Sequence, residues 1–159
     1  MIFALIAYAI AMTVANMLVA TFGPSISPIN AFVFIGFDLA LRDWLQVKLQ
    51  PIQMGALIAG TGLLTYGLDS SAGMIAIASA VSFTAAALID WAVFTKTKGT
   101  WLFRANSSNV AGAAVDSLLF PTIAFGGFMP EIVAMQFVAK IAGGAIWTYW
   151  LNKILKKSQ

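Results

Sequence analysis

Six apolar runs account for most of this chain: Met1–Phe22, a shorter stretch from about Pro28 to Leu41, Ile52–Leu68, Ala72–Phe94, Ala105–Phe128 and Glu131–Asn152. About 20 apolar residues in a helix cross the roughly 30 Å hydrocarbon core of a bilayer. The breaks between the runs carry turn or charge signals: Gly23-Pro24 with Pro28, Arg42 to Pro51, Asp69-Ser70-Ser71, Lys96 to Arg104, and Met129-Pro130. These connections leave no room for a soluble domain. Residues 1–159 therefore read as one all-α transmembrane domain, a six-helix bundle in a cell membrane.

Composition excludes the alternatives. The chain is 60% hydrophobic and 9% charged, against about 45–50% and about 25% in soluble domains. A soluble fold would lack the polar surface to cover itself, and a disordered chain would carry more charge. Without Cys or His there is no disulfide framework, thiol nucleophile, Cys/His metal site or Ser-His-Asp triad. No enzyme, cofactor or metal centre is expected. Met1–Phe22 lacks a basic leading segment and precedes further spans, so it reads as a retained helix.

The charges sort by side. With six crossings, Arg42 and Lys48, then Lys96, Lys98 and Arg104, then Lys153, Lys156 and Lys157 share one face, and the opposite loops hold only Asp69 and Glu131. The positive-inside rule puts both termini in the cytoplasm. A second segment that failed to cross would reverse this pattern. The net charge of +3 is thus topological and calls for no nucleic acid. Trp44, Trp101, Trp147 and Trp150 fall near span ends as interface anchors; Trp91, beside Asp90, fits that role less well.

Small residues at four-residue spacing, Ala7/Ala11/Ala15, Ala72/Ala76/Ala80/Thr84 and the group Ala142-Gly143-Gly144, predict close helix contacts. Such faces serve the bundle itself, or dock a second membrane protein or another copy of the chain.

Ionisable residues within spans are costly and mark functional sites by default. Four stand out: Asp38, Asp90, Asp116 and Lys140. Asp116 shares a helix face with Asn106, Asn109, Gly112 and Phe120; Asp90 lies below Ser79, Ser82, Phe83 and Ala86; Lys140 shares a stripe with Gln136, Gly144 and Thr148. One reading is a purely structural ion-pair network joining Lys140 to Asp90 or Asp116. Against it, one Lys cannot neutralise three Asp, so a carboxylate is left for a proton, water or ligand. Asp38 is expected near the cytoplasmic interface, paired with Arg42 one turn on. Carboxylates accept, amides both donate and accept, and aromatic rings offer flat stacking faces. This set suits a planar, neutral, purine-like heterocycle with adjacent N–H donors; a strongly anionic substrate would need more cations. The candidate binding residues are Asp90, Asp116, Asn106, Asn109, Phe83, Lys140 and Gln136.

The stretch Asn16-Met-Leu-Val-Ala-Thr-Phe-Gly-Pro, then Phe34-Ile-Gly-Phe-Asp38-Leu-Ala-Leu-Arg42-Asp43, resembles the start of the queuosine-precursor transporters of the vitamin-uptake-transporter-like family. The blocks Leu88-Ile-Asp90-Trp-Ala-Val-Phe94, Trp101-Leu-Phe-Arg104-Ala-Asn106-Ser107-Ser108 and Val115-Asp116-Ser117 with Phe120 resemble it more closely. The resemblance implies a six-helix importer of 7-deazaguanines such as 7-cyano-7-deazaguanine in the bacterial inner membrane. Where many members have Ser-Gln before the second Asp, this chain has Gly112-Ala113-Ala114-Val115, one amide fewer. Two other functions share the sequence features. A substrate-binding subunit of an energy-coupling-factor vitamin transporter would use the Ala7/Ala11/Ala15 stripe for docking. A small structural or pore-forming membrane protein would have no saturable ligand.

Overall fold

The computed structural model describes residues 1–46 and 48–156; side chains 40, 42–44, 46, 51, 101, 102, 104, 105, 148 and 151–156 lie outside the description. Among the described residues the chain is helical throughout, without a strand. The elements are α1 (Ile2–Phe22), α2 (Ser27–Asn30), α3 (Gly36–Gln46), α4 (Pro51–Leu68), α5 (Gly73–Lys96), α6 (Trp101–Ala124) and α7 (Pro130–Lys156). Gly23, at φ 68°, ends α1 in a conformation that only glycine adopts freely. A 3₁₀ turn at Gly23–Ile26 leads into α2, and a π-helical turn at Ala31–Ile35 joins α2 to α3. α2, the π turn and α3 form one irregular second segment. Two stretches, Ile2–Leu39 and Ser70–Lys96, are long and apolar enough to cross a membrane.

Local signals set the other boundaries. Gln50 and Gln53 form a capping box ahead of α4, with the Gln50 backbone N–H donating to Gln53 Oε1 at 2.9 Å. Thr100 caps α6 by accepting from the Phe103 N–H at 3.3 Å, and Pro130 opens α7, where a missing N–H costs nothing. Asp69, between α4 and α5, accepts from the Ser71 hydroxyl at 2.6 Å and the Ser71 N–H at 2.9 Å. These bonds hold its carboxyl below the ordinary carboxylate range. Pro121 interrupts α6 from within, freeing the Ser117 carbonyl one turn earlier.

The helices close a ring: α1 packs on α4, α4 on α5, α5 extensively on α6, α6 on α7, α7 on the second segment, and the second segment on α1. Glycines set the closest seam. A Cβ on Gly36 would lie 2.6 Å from the Gly143 carbonyl carbon, and one on Gly143 would collide with the Phe32 carbonyl oxygen. Backbone meets backbone there, as small residues permit in lipid-embedded helices.

Of the small-residue stripes, Ala11, Ala15, Ala72 and Ala76 are buried within the bundle, Ala7 and Ala80 are half-buried, and Thr84 is exposed. Ser79, Ser82, Phe83 and Ala86 make the inward face of α5. Trp91 is exposed, Trp150 is half exposed, and the Trp147 ring meets Phe37 edge-on at 5.0 Å. The side chains of Trp44, Trp101, Arg104 and Thr148 lie outside the described residues.

Asp38, expected near the cytoplasmic end of its span, is fully buried and lines the interior cavity. Arg42, its expected partner, has its side chain outside the description.

Candidate functional site

The interior of the ring holds a small hollow, with room for about one water molecule, lined largely by polar side chains. α1 supplies Met12 and Asn16, and the second segment supplies Ser27, Asn30, Ala31, Ile35 and Asp38. Ser79 and Phe83 of α5 and Asp116 and Phe120 of α6 face them, and Gln136 and Lys140 of α7 close the wall. The π turn lies in this wall, a common location for such turns. The Gly36–Gly143 seam brings the second segment against α7, which sets Asn30 and Asp38 into the same hollow as Gln136 and Lys140.

A hydrogen-bonded ion pair spans α6 and α7. Lys140 Nζ lies 2.9 Å from Asp116 Oδ2 and donates to Gln136 Oε1 at 2.9 Å. Lys140 is 2% exposed and Asp116 14%. The Lys140–Gln136 bond joins residues four apart on one helix face. The Lys140 partner is Asp116, not Asp90.

Two amides in the cavity have chemically fixed orientations. An ammonium can only donate, so Gln136 must turn its oxygen to Lys140, and its Nε2 is left without a partner. A backbone carbonyl can only accept. Asn30 therefore donates through Nδ2 to the Ala15 carbonyl at 3.2 Å, and its Oδ1 is left without a partner. The Ser27 hydroxyl is likewise buried and unmatched. Buried polar atoms without partners are rare and costly. Here an acceptor, a donor and a hydroxyl are left open around one hollow, with the Phe83 and Phe120 rings beside them. The Phe83 ring is held by Tyr8, edge-on at 6.5 Å.

Four of the seven residues singled out from sequence come together here: Asp116, Lys140, Gln136 and Phe83. Asp90, Asn106 and Asn109 do not line this cavity. α5 and α6 run antiparallel, and a Cβ on Gly112 would sit 3.4 Å from the Ala86 carbonyl oxygen and 3.5 Å from Asp90 Cβ. Asp90 is therefore level with the turn before Asp116, about 10 Å along α5 from Phe83 at 1.5 Å rise per residue. There α6 closes directly on α5, and Asp90 Oδ1 is buried against that seam without a hydrogen-bond partner. Asn106 is exposed and Asn109 half-buried. Among the described residues, no group of His, Cys, Asp and Glu could hold a metal ion.

Sequence reasoning missed Asn30 and Ser27. Asn30 carried a signal, an amide flanked by apolar residues, but sits where the second segment leaves α-helical periodicity.

Residues 1–153 match the family model described as "Putative vitamin uptake transporter". The chain belongs to this family. It is a membrane transporter by kinship, with a polar, partly unsatisfied cavity inside a helical ring. No curated protein and no solved structure matches the chain.

Proposed function

We propose that this family member is a multi-pass importer of the bacterial inner membrane that carries 7-cyano-7-deazaguanine or a related 7-deazaguanine base. It crosses the membrane six times with both termini in the cytoplasm. The six helical segments and the confinement of basic residues to alternate loops support that topology. The substrate occupies the cavity between Phe83 and Phe120. Asp116 and Asn30 accept its N–H groups, and Gln136 donates to its carbonyl. Asp90, Asn109 and Asn106 are polar steps between the cavity and the cytoplasmic end.

One observation carries this reading: Asn30 and Gln136, each with one amide atom left without a partner, line the same hollow. A neutral heterocycle with a ring carbonyl next to ring and exocyclic N–H groups satisfies both, and a carboxylate besides. With one ammonium, already paired, the cavity is unsuited to phosphates. Its narrow interior has room for about one water molecule, so admission of a bicyclic base requires the walls to part, as in alternating access.

The test is uptake of labelled 7-cyano-7-deazaguanine by cells unable to make it. Wild type is expected to give saturable uptake that guanine-type bases compete with and nucleotides do not. Gln136→Leu keeps the ion pair, and is expected to raise the apparent KM about 10-fold or more by removing one buried hydrogen bond near a charge. Uptake no higher than in cells without the protein, or a KM unchanged in Gln136→Leu, would refute the reading.

A further inference from the structure

We propose that the α1–α2 side of the hollow is a binding site for a sodium ion, built from the side-chain oxygens of Asn16, Ser27 and Asn30 and filled together with the guest; the joint binding rests on the hollow being the substrate site. All three residues line the hollow and are more than nine-tenths buried. Two of them are amides whose nitrogens are engaged elsewhere. Asn30 gives Nδ2 to the Ala15 carbonyl at 3.2 Å. The Thr65 hydroxyl donates to the Thr61 carbonyl at 2.9 Å, so its oxygen can only accept, and Asn16 must turn Nδ2 to it, at 3.4 Å. Neither Ala15 nor Thr65 belongs to the lining. Both amides are thus held by their nitrogens to groups outside the hollow, and their Oδ1 atoms are the polar ends that remain for it. Asn30 Oδ1 and the Ser27 hydroxyl have no partner. The three residues are neighbours: Asn30 hangs on the carbonyl just before Asn16, and Ser27 stands three residues before Asn30, on the same face of α2.

Amide and hydroxyl oxygens are hard ligands that stand in for part of an ion's hydration shell, and water keeps the rest. All three are neutral, so the ligand set does not turn on the ionisation of any carboxylate. A neutral cage favours a single charge over two, since an uncompensated buried charge is costly. A bare sodium ion is no larger than the one water molecule for which the hollow has room. Lys140, the cation of the lining, is ion-paired with Asp116 at 2.9 Å. The chain that carries Ser27 and Asn30 passes from 3₁₀ to α to π helix between Gly23 and Ile35, and interrupted helices are where secondary transporters coordinate Na⁺. An amide oxygen has two lone pairs, so Asn30 Oδ1 serves the ion and an N–H of the guest at once. Na⁺ therefore tightens guest binding, and the guest tightens Na⁺ binding by the same factor.

Thermal unfolding of the purified protein without guest tests the ion site, with NaCl exchanged for choline chloride at constant ionic strength. Wild type is expected to show a saturable rise in unfolding temperature with Na⁺, because an ion bound only by the folded state stabilises it. Ser27→Ala removes one ligand and is expected to need about 10-fold more Na⁺ for the same shift. Ser27→Cys, close to serine in size but with a soft sulfur, is expected to match Ser27→Ala and serves if the alanine variant folds poorly. Na⁺ and choline acting alike, or a shift unchanged in both Ser27 variants, overturns the proposal. Equilibrium binding of 7-cyano-7-deazaguanine in the two salts tests the joint site. Affinity is expected to be about 5-fold or more higher in Na⁺, and affinity indifferent to Na⁺ overturns joint binding. A Ser27-dependent Na⁺ shift in a protein that binds no 7-deazaguanine in either salt leaves the ion site standing and refutes the substrate assignment.

Discussion

Asp116→Ala is expected to destabilise the protein by about 3–5 kcal/mol, because it strands a buried ammonium without its counter-ion. Lys140 is almost fully enclosed and Asp116 is its ion-pair partner at 2.9 Å. The informative variant replaces both residues at once, Asp116→Leu with Lys140→Met. Apolar side chains of similar size in place of a buried ion pair are often neutral or stabilising, so unfolding in mild detergent should return to the wild-type midpoint or above it. Uptake should remain at background. A double variant that is stable and still transports normally would mean that the ion pair only satisfies itself, the structural reading that the sequence left open.

Gly143→Ala is the second large effect. Its Cβ would run into the Phe32 carbonyl, with the carbonyl carbon at 3.0 Å and Cα at 3.1 Å. Nothing flexible stands there to yield, so α7 must move off the second segment, at a cost of about 3 kcal/mol, the upper end of ordinary overpacking. The same shift pulls Gln136 and Lys140 away from Asn30 and Asp38, so transport should fall further than stability alone explains. Gly60→Ala is the control. Open space surrounds Gly60, and alanine favours a helix over glycine by about 0.5–1 kcal/mol, so this variant should be neutral or slightly more stable. Thermal unfolding of the two variants side by side checks the contrast.

The extents of α1, α4 and α5 were legible because their signals are local, apolar runs and glycine or proline at their ends; α6 begins and ends four residues before the apolar run Ala105–Phe128, and α7 runs four residues past Asn152. The Lys140–Gln136 bond was legible for the same reason, as four residues along one helix leave little freedom. A helical face fixes angle and says nothing of which neighbour stands at the same height: Asp90, Asn106 and Asn109 share a direction with Phe83 and Asp116 but do not line the hollow. The irregular second segment was the hardest to read: the π turn at Ala31–Ile35 has no sequence signature in this chain, and Asn30 and Asp38 on either side of it both line the cavity.

The central claim is that the guest sits among Asn30, Phe83, Asp116, Phe120 and Gln136. A structure determined with 7-cyano-7-deazaguanine bound tests it most directly. The account predicts density for the base in this hollow, its carbonyl within hydrogen-bond distance of Gln136 Nε2 and an N–H group on Asn30 Oδ1. Density at the Asp90, Asn106 and Asn109 end, with this hollow still empty, would contradict it.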